Sequence, residues 1–325
     1  MGVIIWSKIK GLDIAQDTEI QYLEVAKQTI SMANITKNYF RVLEVLSSLN
    51  IDFNDTFRAG RKVKMSDIEV VALSLTAEYM SIDSENDLFK QLVNSSIPNL
   101  IERSQFNKRR RKLFEFSEGI RTTLACSFLE FENYFIIDSM PLEICKKARQ
   151  NRIKICKKDF ETAPSKGFCA SQDTWFYGYK LHGICSVSGV FHSIDITKAN
   201  VHDVQILKDV KNQLSDCVLL GDRGYLSSTQ QLDLFETANI ILETPMRINQ
   251  RGYKKQPYIF RKSRKRIETL FSQLCDQFKI RNNYAKSFDG FKTRILAKIT
   301  ALTLVQYINK FIFDRPINNI KIQIN

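Results

Sequence analysis

The chain has 325 residues, 44% of them hydrophobic, and a formal net charge of +13. Such a chain can bury a sizeable core, and its length favours two domains, or one domain with an extension. Residues 1–130 carry 17 Lys and Arg against 17 Asp and Glu, so the whole basic excess, 31 against 18, lies in residues 131–325. That surplus favours a polyanionic partner such as nucleic acid, although an anionic membrane surface would feel the same field.

Cysteine usage and apolar runs exclude several classes of protein. The seven cysteines lie singly, without a C-x-x-C pair, and there are three histidines. A zinc site or a disulfide framework is therefore disfavoured. The first residues, "MGVIIWSKIKG", do not have the pattern of a signal peptide, and no apolar run approaches ~20 residues. We therefore expect a soluble cytoplasmic protein without a membrane partner.

Residues 1–130 are predicted to be mainly helical. One helix is expected over "SDIEVVALSLTAEYM", where Ser66 precedes an apolar pattern of helical period. Another is expected over "LIERSQFNKRRRKLFEF", which carries five consecutive basic residues. Such a run either reaches DNA phosphates or forms a solvated helix face, and the run alone does not separate the two. On the first reading, residues 1–130 form a DNA-binding region that contacts DNA through Lys108, Arg109, Arg110 and Arg111.

After residue 130 the pattern changes to strands and helices in alternation. "YFIID" predicts a strand, and "FYGYKLHGICSVSGVFHSIDIT" predicts a hairpin about a turn at Ser188 and Gly189. Further on, "CVLLGD" and "NIILETP" predict strands, while "VQILKDVKNQL", "STQQLDLFETA" and "SRKRIETLFSQLCDQF" predict helices. The order β-β-β-α-β-α-β-α predicts an RNase H-like α/β fold over residues 131–285, with a mixed sheet flanked by helices.

The closing stretch, within residues 286–325, is apolar but interrupted by charge. It reads "FKTRILAKITALTLVQYINKFIF" and contains Lys298 and Lys310. We predict a helix that packs on the protein or forms a dimer, and not a membrane span.

Two predicted strands lead directly to an aspartate, Asp138 in the first case and Asp222 in the second. Sites in open α/β sheets form at the carboxyl ends of strands, so these two acids are expected to converge. Glu268 flanks the apolar stripe of its predicted helix, with Arg264 one turn earlier, and can supply a third acid. Taken singly, an aspartate after a strand is commonly a turn former.

Three carboxylates in one site predict a bound cation or a heavily basic surround. Without either, the acids repel each other and their pKa values rise. Hard ions such as Mg²⁺ take oxygen ligands and keep several waters, so a few carboxylates suffice. Two such ions ~4 Å apart can activate a nucleophile and stabilise the leaving oxygen of a phosphodiester.

The motifs resemble those of DDE transposases of bacterial insertion sequences. The matching stretches, in order, are "IIDSMP", "FYGYKLH", "KANVHD", "GDRGY" and "RKRIETLFSQL". The gap from Asp222 to Glu268 is 268 − 222 = 46 positions, with room for a helix and a strand only. The resemblance covers residues 130–300, and the block from "IDSENDLFKQL" through "IERSQFNKRRRKLF" also looks like the amino-terminal region of such enzymes.

This resemblance implies a transposase that cleaves the ends of its element and joins them to target DNA. Asp138, Asp222 and Glu268 would be the catalytic residues and would hold two Mg²⁺ or Mn²⁺ ions, with Asp138 bridging them. Arg264 would lie near the phosphate. The resemblance also implies double-stranded DNA as partner, at least a homodimer on that DNA, and a place at the bacterial nucleoid.

Other residues near the predicted site have two readings each. His202 and Asp203 open a predicted helix, where capping is commoner than metal binding, and we predict that they support the site from outside the ligand set. Trp175, with the two aromatic residues after it, either stacks on a flipped base or packs in the hairpin core. Two basic runs that flank the site are predicted to form a DNA track. The runs are Lys146–Lys158 and Arg247–Arg266. The residues in them that are predicted to bind DNA are Lys146, Lys147, Arg149, Arg152, Lys154, Lys265 and Arg266.

Two other functions stay open on the sequence alone. A nuclease or resolvase of the same fold would cut DNA without joining it. A decayed transposase kept as a repressor would bind DNA without catalysis. Activity separates these alternatives from a transposase.

Overall fold

The computed structural model describes residues 35–49, 63–93, 95–129, 132–170, 172–246, 248–249, 252–321 and 324. Within these ranges the chain begins with helices, which are α1 (35–48), α2 (Asp67–Tyr79), α3 (Glu85–Leu92), α4 (Arg103–Lys112) and α5 (Phe114–Cys126). Ser66 caps α2 as predicted, because its hydroxyl accepts from the backbone N–H of Glu69 while the Glu69 carboxylate accepts from that of Ser66. The second predicted helix is divided at Leu113 into α4 and α5.

Six strands form one mixed sheet in the described part of the chain. They are β1 (Tyr134–Cys145), β2 (Ser165–Cys169), β3 (Thr174–Ser186), β4 (Phe191–Lys198), β5 (Cys217–Leu220) and β6 (Ile240–Glu243). The order is β2-β3-β1-β5-β6, and β4 also pairs with β3. β1, β5 and β6 are parallel, whereas β3 is antiparallel to β1, β2 and β4. The antiparallel meander followed by parallel strands confirms the RNase H-like prediction.

Helices cover both faces of this sheet. They are α6 (Leu207–Val210), α7 (Ser228–Ala238), α8 (Tyr258–Asp276) and α9 (Phe288–Tyr307). Alternate residues of β1 enter two separate cores. Ile136 belongs to the larger core, which contains residues of α1 to α4, α8 and α9, while Phe135 and Ile137 belong to the smaller core with α6 and α7.

Three elements differ from the sequence predictions. β2 is not predicted from the sequence, and the expected helix over "VQILKDVKNQL" is reduced to a 3-10 turn (Asp203–Ile206) followed by the single turn α6. β1 does not stop at Asp138 but continues through Pro141 to Cys145. The proline is tolerated because β5 pairs with β1 only at Tyr134–Ile136, so further along β1 has a ladder on its β3 side alone.

Helix α9 lies in the larger core. The segment Phe288–Ile312 is long and apolar enough to cross a membrane, but 78% of its most apolar window is buried inside the protein. Lys298, which interrupts the apolar run, is fully buried and donates to a Glu78 carboxylate oxygen at 2.5 Å and to the carbonyl of Phe278 at 2.6 Å. Most of α9 is therefore buried inside the protein.

Candidate active site

The parallel register of β1 and β5 brings two aspartates side by side. Ile136 pairs with Leu220, and Asp138 and Asp222 each lie two residues beyond that pair. Neighbouring strands are about 4.8 Å apart, so the two aspartates extend from adjacent positions at the carboxyl edge of the parallel pair. This is the edge at which α/β sheets form their sites.

The motif "GDRGY" fixes the orientation of Asp222. Its Oδ1 accepts a hydrogen bond of 2.7 Å from the backbone N–H of Gly224 and caps the 3-10 turn Arg223–Tyr225. A Cβ at residue 224 would lie 2.9 Å from that same oxygen, so a larger residue there would displace the Asp222 carboxylate. Asp222 therefore does form a turn, and the hydrogen bond of that turn holds its carboxylate at the sheet edge.

Helix α8 brings the third acid to the same place. Ile267 and Leu270 are buried in the core beneath the helix, which leaves Glu268 exposed beside them. Glu268 and Arg264, one turn earlier, line one cleft with both aspartates. The cleft has a volume of about 400 Å³, and its other lining residues are Ser139, Pro141, Phe168, Cys169, Ala170, Phe176, Lys180 and Asp203.

Electrostatics in this cleft disfavour ionisation of Asp138. Burial raises the pKa of Asp138 to about 6, the hydrogen bond from the Ser139 N–H opposes the rise, and the charges of Asp222 and Glu268 add to it. Arg264 is the cation that lowers this pKa. One arginine does not balance three carboxylates, so the cleft carries an excess of negative charge.

The acids fit a hard divalent cation by chemistry, although they do not form a ready ligand shell. In the described residues, no group of three or more His, Cys, Asp or Glu side chains is arranged to hold a metal ion. All three acids nevertheless line one cleft and repel one another, and oxygen donors alone are what Mg²⁺ prefers. Glu268 is exposed and has three rotatable side-chain bonds, so a cation can draw its carboxylate inward.

Residues at the wall of the cleft include some that have no role assigned from the sequence. Lys180 pairs with Asp203 at 2.9 Å and also donates to the carbonyl of Val201. Asp203 also lines the cleft. His202 is exposed, does not cap the turn after it through its side chain, and is not among the lining residues. Lys180 lies within the quoted motif "FYGYKLH", which was the available signal. Phe168 also lines the cleft, but it lies on β2, and no sequence motif pointed to it.

A second, basic cleft adjoins the first. It has a volume of about 490 Å³ and shares Asp222 and Arg264 with the acidic cleft. Its other lining residues are Arg223, Pro245, Met246, Tyr253, Lys254, Lys255, Gln256 and Arg261. Positive charge therefore borders the acids on the side of α8, as a polyanion track requires.

The predicted DNA-binding residues differ in their availability. Seven of them are exposed, five between β1 and β2, one on α4 and one on α8. They are Lys146, Lys147, Arg149, Arg152, Lys154, Lys108 and Lys265. Arg111 and Arg266 are half-buried.

Two members of the α4 run are engaged inside the protein. Arg109 is bonded to Asp67 and to the carbonyl of Met65. Arg110 is buried, 3.0 Å from a Glu85 oxygen and 3.7 Å from a Glu78 oxygen. The DNA-binding prediction for Arg110 is wrong, because its guanidinium is enclosed between helices and cannot reach a phosphate.

Comparison with known proteins gives the family. The family described as "Transposase DDE domain" matches residues 130–304, which is more than half of the chain. No curated protein matches. A solved structure described as "Mos1 transposase paired-end complex with left transposon end" is 13% identical, with 81% of this chain and 83% of that chain covered and a TM-score of 0.21. On the strength of the family match, which spans all three acids, the chain belongs to the transposases with a DDE domain.

Proposed function

We propose that the protein binds the ends of its own mobile element, hydrolyses the phosphodiester that flanks each end, and uses the freed 3′-hydroxyl to attack target DNA. The observation that carries this proposal is the single cleft lined by Asp138, Asp222 and Glu268. The basic cleft that shares Asp222 with it supplies a path for the phosphate backbone.

Divalent cations are the cofactor that this cleft fits. Asp138, Asp222 and Glu268 would hold two Mg²⁺ or Mn²⁺ ions. When bound, the ions supply the activation of water or the 3′-hydroxyl and the charge stabilisation of the leaving oxygen. Because the pKa of Asp138 is raised to about 6, a proton competes with the ions for this carboxylate below about pH 6.

The remaining residues position the DNA. Arg264 lines both clefts, so its guanidinium can contact a phosphate at their junction through paired N–H donors. Asp203 holds the Lys180 ammonium at the cleft wall through a 2.9 Å ion pair, where the lysine can act as a point charge for a second phosphate. Pairing two element ends calls for at least two subunits, which we propose assemble on the DNA.

Replacement of Asp138 by asparagine tests the proposal. DNA ends taken from the sequence that flanks the open reading frame, labelled and incubated with Mg²⁺, should be cleaved and joined to a target plasmid by the wild-type protein. Asp138→Asn keeps the shape of the side chain but removes a charged ligand, so we expect cleavage to fall by about 10³-fold or more. Binding of the ends, measured by mobility shift, should change little.

A matched variant and the product pattern exclude the alternatives. Asp233→Asn removes a carboxylate paired with Lys211 on the protein surface and should leave cleavage unchanged. Cleaved ends without any joined product would identify a nuclease. Equal Mg²⁺-dependent cleavage by wild-type protein and Asp138→Asn would contradict the proposed site.

A further inference from the structure

Two aromatic rings are exposed on the β2–β3 hairpin. Phe168 lies opposite Trp175 in the antiparallel register, and the ring centroids are 5.2 Å apart. Their side chains remain 43% and 51% exposed. Phe176 and Tyr177 are buried. Of the two roles considered for this aromatic run, packing therefore fits Phe176 and Tyr177, and stacking on a base is open to Trp175.

Lysine side chains surround the exposed tryptophan. The Nζ atoms of Lys166 and Lys147 lie 4.8 and 5.6 Å from the centroid of the Trp175 ring. An exposed cation–π contact changes an equilibrium by about two- to fivefold, whereas stacking of a nucleobase on an aromatic ring contributes about five- to 150-fold. A base can therefore displace either lysine from the ring face, and the displaced ammonium is then available to the phosphate beside that base.

The aromatic pair is continuous with the catalytic cleft. Phe168 is one of the residues that line this cleft together with Asp138 and Glu268. A strand that leaves the cleft on the β2 side would therefore pass Phe168 and Trp175. Bases in a duplex have their faces covered by stacking, so only unpaired nucleotides can use such rings.

We propose that Phe168 and Trp175, with Lys147 and Lys166, form a binding platform for unpaired nucleotides of the DNA strand next to the cleavage site. The platform rests on the proposed function in taking DNA as the substrate and the cleft as the place of cleavage. Its role is to hold a strand whose pairing has opened at the cleft. Cross-strand packing alone would need neither the half-exposed rings nor the two lysines.

Single-stranded binding without metal or cleavage tests the platform. The chain has two tryptophans, Trp6 and Trp175, so Trp6→Phe leaves Trp175 as the only tryptophan fluorophore. Addition of a ten-nucleotide oligothymidylate in EDTA should quench its emission. In anisotropy titrations of the labelled oligonucleotide, Trp175→Ala should weaken binding by about tenfold and Trp175→Phe, which keeps a ring, by less than about threefold.

Phe235→Ala provides the control. Phe235 is 54% exposed on α7. This helix packs beside β6, at the opposite end of the sheet from β2, so removal of the Phe235 ring should not change binding. Absence of quenching, or equal affinity of wild-type protein and Trp175→Ala, would overturn the platform. Because these measurements need no cleavage, they can fail while Asp138→Asn still abolishes cleavage, and the converse also holds.

Discussion

Carboxylates are enclosed in two regions of this protein, and the two regions treat them in opposite ways. Between α2, α4 and α9, the fully buried Glu78 is bonded to Arg294 at 3.2 and 3.3 Å and to Lys298 at 2.5 Å, with Arg110 at 3.7 Å. Burial by itself raises the pKa of Glu78, but these cations together lower it below its ordinary value. In the cleft, burial likewise raises the pKa of Asp138, but there two further acids add to the rise and Arg264 is the cation that opposes it, so the pKa stays raised.

The charge of Glu78 is balanced within the fold, whereas the charge of the three acids in the cleft is not. A buried acid that serves the fold has its cations supplied by neighbouring helices, as Glu78 has. An acid cluster with too few cations costs stability and persists where an external cation completes it. The charge imbalance in the cleft therefore indicates a site for ions more directly than the presence of the acids does.

Glu78→Gln should give the largest effect on stability. The change keeps the size of the side chain but leaves Arg294 and Lys298 buried without a counter-charge, which typically costs about 3–5 kcal/mol. We expect the midpoint of thermal unfolding to fall by about 5–15 °C in calorimetry. Glu44→Gln is the matched control, because Glu44 is 69% exposed in its pair with Arg41 and should matter by less than about 1 kcal/mol.

A small loss of stability in Glu78→Gln would contradict the contrast between Glu78 and the cleft. If the free energy of unfolding fell by no more than in Glu44→Gln, the Glu78 cluster would not depend on its negative charge. The two regions would then not differ in the way proposed.

Asp138→Asn should act in the opposite direction on stability. The pKa of Asp138 is about 6 in the folded protein against about 4 when unfolded, so the folded state disfavours the ionised form. In metal-free buffer at pH 8 the variant should be more stable by about 1–2 kcal/mol. This gain should shrink as the pH falls from about 6 to about 4. Below about pH 4 wild-type Asp138 is protonated in both the folded and the unfolded state, and the gain should be lost.

Mg²⁺ should reverse the order of the two proteins. Binding to the folded state alone stabilises by about 2.7 kcal/mol at a hundredfold excess over Kd, and Asp138→Asn should lose most of this gain. Below pH 6 a proton competes with the ion, so stabilisation by Mg²⁺ should weaken. An Asp138→Asn variant that is less stable at both pH 8 and pH 4 would show a structural role instead.

Sequence patterns predicted five of the six described strands because those strands follow from local rules. Apolar runs such as "YFIID" and "CVLLGD" define strands, and parallel pairing places the residues after them together. The 46-position gap between Asp222 and Glu268 allowed only a helix and a strand, and α7 and β6 fill it.

Other features depend on partners distant in the chain and could not be predicted. Whether a basic residue on α4 faces DNA or Glu78 is decided by how α2 and α9 pack, so Arg110 and its exposed neighbour Lys108 look alike in the sequence. Lys298 looked like an interruption for the same reason, since its partner Glu78 is 220 positions away. β2 is five residues long and is defined by its pairing with β3.

The smallest expected effect concerns the basic residues, which also divide into those paired inside the protein and those left free at its surface. Arg152 and Lys154 are exposed between β1 and β2, whereas Arg109 is bonded to Asp67 within the protein. Each phosphate that the protein no longer neutralises lowers the slope of log K against log salt by about 0.9. The double variant Arg152→Ala/Lys154→Ala should therefore reduce the slope for duplex DNA by up to about 1.8, with a few-fold loss of affinity, while Arg109→Ala should leave the slope unchanged. Equal slopes for both variants would mean that exposure in this structure does not identify the residues that meet the phosphates, and that the DNA track lies elsewhere.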